Sequence, residues 1–210
     1  MVLDDQMRST KRGYRKTTRA EDEQRTRRRI VDAAESLHAT VGPARTSVSA
    51  VAARAGVTRA TVYRHFPDDE ALFTACSAQW VSRQRLPEPE AWTALPDPME
   101  RLRAGLTDIY RYYRSGEQML TLIHRDADAV PAPVREKRIE AQHRWARTLL
   151  QPFPRGGSTK VRAAVRHAAG FDTWRSLCVV QGLSDRTAVE LMVGMVAVAQ
   201  GQLRAQHRPR

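Results

Sequence analysis

The 210-residue chain has only two cysteines, Cys76 and Cys178, and 6% aromatic residues. The cysteines lie far apart and no Cys/His group has metal-ligand spacing, which argues against a disulfide framework and against a metal centre. The longest strongly apolar run, Leu191 to Ala199, falls well short of the ~20 residues a membrane span needs. The first twenty residues are polar and carry no apolar core of the secretory type. The expectation is a soluble, cytoplasmic protein. No nucleophile elbow, phosphate-cradling glycine loop, HExxH or CxxC occurs. The sequence therefore offers no catalytic residue, metal site or cofactor site, and predicts a protein that is not an enzyme. No segment alternates with period two, which leaves an all-α fold.

Positive charge is what the chain has in abundance. The formal net charge is +12 and the pI is near 10.7, a balance that predicts a polyanionic partner, nucleic acid first and an anionic membrane surface second. Residues 1–66 hold fourteen Lys and Arg against seven Asp and Glu, and the remaining 144 hold 21 against 16. The anion-binding end is the N-terminal third.

Prolines punctuate the rest, and the stretches between them read as helices. Residues 1–20 read as a disordered basic arm. A first helix over about 21–40 carries the apolar stripe Ile30, Ala33, Ala34, Leu37 and Val41, and Gly42-Pro43 stop it. Short helices at about 47–55 and 59–66 and a longer one at about 69–85 complete an N-terminal domain over 21–85. The Pro-rich "LPEPEAWTALPDP" reads as the domain boundary. A second domain over 86–205 is expected to hold helices at about 98–115, 117–127, 133–151, 158–182 and 184–205.

The stretch "VAARAGVTRATVYRHF", residues 51–66, has the pattern of a helix-turn-helix. Ala52 is small where the two helices cross, Gly56 makes the turn, and Val48, Val51, Val57 and Val62 lock the helices together. Thr58 caps the second helix, leaving Arg59, Ala60 and Thr61 in its first exposed turn, where a recognition helix meets base edges. Arg59 can give two hydrogen bonds to guanine and the Thr61 methyl suits that of thymine. Tyr63, Arg64 and His65 can reach phosphates. An ordinary helical hairpin with a solvated arginine has the same local pattern; the basic arm and the local charge surplus favour DNA.

Residues 27–73, "RRRIVDAAESLHATVGPARTSVSAVAARAGVTRATVYRHFPDDEALF", closely resemble the DNA-binding head of the TetR family of bacterial transcriptional regulators. The resemblance implies base or phosphate contacts from Thr46, Ser47, Thr58, Arg59, Thr61, Tyr63 and His65. It also implies a three-helix head joined through a fourth helix to a five-helix ligand-binding and dimerisation domain. One departure is Asp69, where members usually place a phosphate-contacting Lys; Asp68 remains a good N-cap. The arm residues Arg12, Arg15, Lys16 and Arg19 are candidates to compensate in the adjacent minor groove, with a solvated tail as the alternative.

Residues 171–196 resemble, more weakly, the C-terminal region of actinobacterial-type members, whose last two long helices form the dimer. The last helix is apolar all round from Leu191 to Ala199, so it needs cover on more than one side. A homodimer interface through Val189, Met192, Val193, Val196 and Gln200 satisfies this; a buried core helix is the alternative. The resemblance further implies an effector pocket, for which Tyr110, Tyr113, His124, His143, Trp145, Phe171 and Trp174 are candidates, though Tyr and Trp at such positions are more often core packing than pocket wall. The resulting expectation is a repressor released from a palindromic DNA operator by a small-molecule effector. An activator, an effector-independent regulator and a non-specific architectural DNA-binding protein stand as alternatives.

Overall fold

The computed structural model describes residues 2–201, with side chains from Ala20 onward. Among them there are helices and turns and no strand. The helices are α1 (Val2–Thr40), α2 (Val48–Ala55), α3 (Arg59–His65), α4 (Asp69–Ser82), α5 (Pro89–Trp92), α6 (Pro98–Ser115), α7 (Glu117–Arg125), α8 (Ala132–Leu150), α9 (Thr159–Ala168), α10 (Phe171–Trp174) and α11 (Asp185–Gln200). A π-helical turn, Arg175–Val180, follows α10. The chain divides into two compact units. The first runs through Ser82 and includes Thr121–Pro131; the second takes Arg83–Leu120 and the residues from Ala132 onward.

In the first unit α1 packs on α2 and α4. Its centre is Ile30, Ala33, Ala34, Val51, Ala52, Ala55, Val62, Phe66, Leu72 and Cys76. The predicted stripe holds for Ile30, Ala33 and Ala34, whereas Leu37 is half-buried and Val41 exposed. α1 runs unbroken from Val2, where the sequence reading set a disordered arm before Glu21. The first proline is Pro43, so no residue before it lacks the backbone donor that a helix needs. The side chains of Arg12, Arg15, Lys16 and Arg19 lie outside the described residues.

In the second unit α11 packs on α6 and α9, and α8 on α5, α6 and α9. The Pro-rich segment is folded rather than a free linker. Trp92 is buried and its Nε1 donates to Asp108 Oδ2 at 3.2 Å, as does the backbone amide of Glu88 at 2.8 Å. The buried Arg101 donates to the carbonyls of Leu95 (2.7 Å) and Thr93 (3.0 Å) and to Gln151 Oε1 (3.0 Å). A buried guanidinium with these acceptors fixes the segment onto α6 and α8.

The single helix expected over 158–182 is broken. α9 ends at Ala168, and Gly170 takes an extended conformation before α10. The Tyr110 and Tyr113 hydroxyls donate to the carbonyls of Ala168 (2.9 Å) and Ala169 (2.8 Å). These bonds satisfy acceptors that a helix end leaves open, so the break costs no unpaired carbonyl at either position.

Between α1 and α4, His38 is buried, with its Nδ1 3.3 Å from Cys76 Sγ and its ring 4.6 Å from Phe73. Burial lowers its pKa from 6.5 to about 4. The unfolded chain therefore takes up the proton first, and stability drains away as pH falls from 6.5 toward 4. Thermal melts at pH 7 and pH 4 are expected to show wild type losing on the order of 2 kcal/mol more than His38→Gln across that interval.

Candidate nucleic-acid interface

Three local signals build the α2-turn-α3 unit. Ser47 Oγ accepts from the Ala50 amide at 3.2 Å and starts α2. Gly56 ends it in the left-handed region at φ 64, ψ 42, with the Val57 amide donating back to the Ala52 carbonyl at 3.0 Å. Only glycine takes that conformation without a Cβ penalty. Thr58 Oγ1 then accepts from the Thr61 amide at 3.1 Å and starts α3.

α3 has seven residues, of which only Val62 is buried, and Phe66 seals its end. Arg59, Ala60, Tyr63 and Arg64 are exposed, and the 100° step of a helix puts all four on one face. Thr61 is half-buried on the flank, its hydroxyl 3.0 Å from that of Thr58. His65 lies on the same flank, half-buried, with Nε2 out of solvent and lacking a partner among the described residues. Desolvation, then the charges of Arg64 and Arg27, lower its pKa against the opposing pull of Glu23. The ring's Nε2 is thus turned away from the exposed face of α3.

Ahead of α2, the Thr46 hydroxyl donates to the Gly42 carbonyl at 2.9 Å. Ser47 is exposed and uses its oxygen as an acceptor for the cap, which leaves its hydroxyl able to donate. At the start of α4, Asp68 Oδ1 accepts from the Ala71 amide at 2.7 Å, and Asp69 is exposed in the first turn. The cap is as expected.

Three arginines that the pattern reading gave no part hold this surface in place. Arg29 donates to the carbonyls of Ala55 and, at 3.2 Å, Gly56. A cation at the C-terminus of α2 offsets the carbonyl charge gathered there. Arg27 donates to the His65 carbonyl at 3.0 Å and lies 4.1 Å over the Phe66 ring, doing for α3 what Arg29 does for α2. Arg54 donates to Ser36 Oγ at 2.6 Å. Three of the N-terminal positive charges are thus internal ties.

In the second unit, five of the seven pocket candidates meet as packed core. Tyr110, Tyr113, Trp145, Phe171 and Trp174 are all buried. Tyr113 meets Phe171 edge-on at 5.3 Å and Trp174 at 5.8 Å, while Phe171 and Trp174 are 5.5 Å apart. Burial raises the pKa of both tyrosines, keeping their hydroxyls as neutral donors. His143 is exposed and His124 belongs to the first unit, so neither joins the rings.

The proposed interface residues are also relocated. Val189, Met192, Val193 and Val196 are buried within their own unit and Gln200 is half-buried. The opposite stripe of α11 is the outward one. Leu191 is 50% and Val198 61% exposed, Gly194 and Met195 lie between them, and a Cβ at Gly194 would meet nothing within 4 Å.

Residues 30–76 match the family model for bacterial regulatory proteins of the tetR family. That segment is of the tetR-family type and contains the α2-turn-α3 unit. An uncharacterised HTH-type transcriptional regulator of Mycobacterium tuberculosis is 36% identical over 86 residues, a match spanning 41% of this chain and 43% of the relative. The chain thus aligns with less than half the length of that relative. Two solved structures share the fold. A TetR-like transcriptional regulator from Rhodococcus sp. RHA1 has a TM-score of 0.59 at 19% identity, covering 84% of this chain and 96% of that one. NalD, the secondary repressor of the MexAB-OprM multidrug efflux pump in Pseudomonas aeruginosa, has a TM-score of 0.57 at 24% identity, covering 85% and 97%. No helix among the described residues is long and apolar enough to cross a membrane.

The Thr58 cap is the contact that starts α3. Thr58→Ala is expected to lower stability by about 1 kcal/mol, with Thr58→Ser keeping most of it; urea denaturation measures both.

Proposed function

We propose that the chain is a sequence-specific DNA-binding transcriptional regulator that acts as a homodimer, and that it represses by occupying a palindromic operator until a small-molecule effector releases it. The observation that carries the DNA-binding part is the outward face of α3. Arg59, Ala60, Tyr63 and Arg64 stand together on a helix that begins at a capped glycine turn and buries a single side chain. Such a helix fits a major groove, where its first turn reads base edges. Arg59 supplies the two-donor fork that matches guanine, Ser47 and Tyr63 position the head on phosphates, and α1 brings the basic N-terminal residues. The alternative of charge-only, architectural binding has no use for the caps that aim α3.

Dimerisation is supported by α11. A stripe of Leu191, Gly194, Met195 and Val198 faces away from the residues that bury the rest of the helix. A two-fold pairing of these stripes would bury them and place two α3 helices against matching half-sites. The effector part rests on the family alone. The candidate rings pack on one another, so an effector that enters there must displace at least one of them, which favours an apolar or aromatic molecule.

Arg59→Ala is expected to cost roughly 1–3 kcal/mol on a duplex that wild type selects from random-sequence DNA, and much less on scrambled DNA. Fluorescence anisotropy at two salt concentrations reads both; an equal loss on both would make Arg59 a phosphate contact. Leu191→Glu with Val198→Glu is expected to turn a dimer into a monomer in sedimentation equilibrium while the helical circular dichroism stays unchanged.

A further inference from the structure

The loop that joins α1 to α2, residues 41–47, is held by side chains more than eighty positions away. Arg125 Nη2 donates to the Val41 carbonyl at 2.8 Å. Asp126 Oδ2 accepts from the Ala44 backbone amide at 3.1 Å. The two side chains also grip each other through two bonds, Arg125 Nε to Asp126 Oδ1 at 2.7 Å and Arg125 Nη2 to Asp126 Oδ2 at 2.8 Å. The Asp126 side chain is only 8% exposed. All of these residues belong to the first unit.

Gly42 is shaped to this pair. Its φ is +91, and a Cβ there would come within 2.3 Å of Arg125 Nη2 and 2.4 Å of Asp126 Oδ2. The loop's own bonds carry the constraint forward. The Arg45 amide and the Thr46 hydroxyl donate to the Gly42 carbonyl at 3.3 and 2.9 Å, and the Thr46 amide donates to the Pro43 carbonyl at 3.1 Å. Ser47 follows directly and caps α2. The hydrophobic centre of the unit includes none of residues 41–47, 125 or 126. The grip therefore fixes the backbone ahead of the candidate DNA edge rather than the packing beneath it.

We infer that Arg125 and Asp126 are positioning residues for DNA binding: they clamp residues 41–46 so that Thr46, Ser47 and the N-terminus of α2 meet a phosphate in register. The inference rests on the DNA-binding reading above.

Neutralising Asp126 separates positioning from charge by sign. An acid near a DNA-binding surface repels phosphate, so its removal tightens binding if charge is its only effect. If it positions the loop, Asp126→Asn loosens binding instead, and does so without changing the salt slope, because no Lys or Arg contact is lost. The test uses the full chain and the duplex that wild type selects from random-sequence DNA. Asp126→Asn is expected to bind that duplex about five- to tenfold more weakly at an unchanged salt slope, with its helical circular dichroism intact and faster hydrogen exchange at the Ala44 amide. Equal or tighter binding by the variant would overturn the clamp alone. Loss of the variant's fold would also overturn it, making the pair a support of the fold and not of the edge. Failure of wild type to select any duplex would overturn the DNA-binding reading, and the clamp with it.

Discussion

The exposed face of α3 depends on a helix too short to stand alone. Seven residues are well under the length at which a helix persists in water by itself, and α3 buries only Val62. It survives because every end is tied: Thr58 starts it, Phe66 seals it, and Arg27 both takes the His65 carbonyl and covers the Phe66 ring. The neighbouring helix is tied in the same way by Arg29 at Ala55 and Gly56. Basic residues that look in the sequence like a reserve for phosphate are partly committed to holding carbonyls.

The second unit solves a different problem with the same economy. Its centre is a set of interlocking rings, and two of them, Tyr110 and Tyr113, use their hydroxyls to satisfy the carbonyls at the end of α9. Arg114 lies 5.0 Å over Trp174 and donates to Asp185 at 2.8 Å, while Trp174 Nε1 donates to the same carboxylate oxygen at 3.1 Å. Asp185 opens α11. The start of the last helix is therefore set by the aromatic centre, and so is the direction in which its outward stripe faces.

The parts that were legible in the sequence are those set by neighbours along the chain. Ser47, Gly56 and Thr58 act within three or four residues of their own positions, so α2 and α3 fall within about a residue of their predicted limits. The unbroken α1 was missed because a basic, polar segment carries no apolar period even where nothing forbids the helix. The break at Gly170 was missed because its cause is two hydroxyls on α6, more than fifty residues earlier. The buried side of α11 was misassigned because a helix apolar all round has no amphipathic phase to read. Arg59, Ala60, Tyr63 and Arg64 are exposed, as a capped short helix allows, while the inward Nε2 of His65 shows that membership of a motif does not fix which way a ring turns.

The grip of Arg125 and Asp126 on the loop after α1 has a consequence for how this chain can be divided. The prolines after Leu86 suggest a head that ends there, and a fragment cut at that point would keep every residue of the helix-turn-helix. It would lack Thr121–Pro131, and with it the partners of the Val41 carbonyl and the Ala44 amide. Gly42 would then face open space in a backbone conformation chosen to avoid two absent side chains. In this protein the reading head is discontinuous in sequence, and it becomes whole only after the first helices of the other unit have been made.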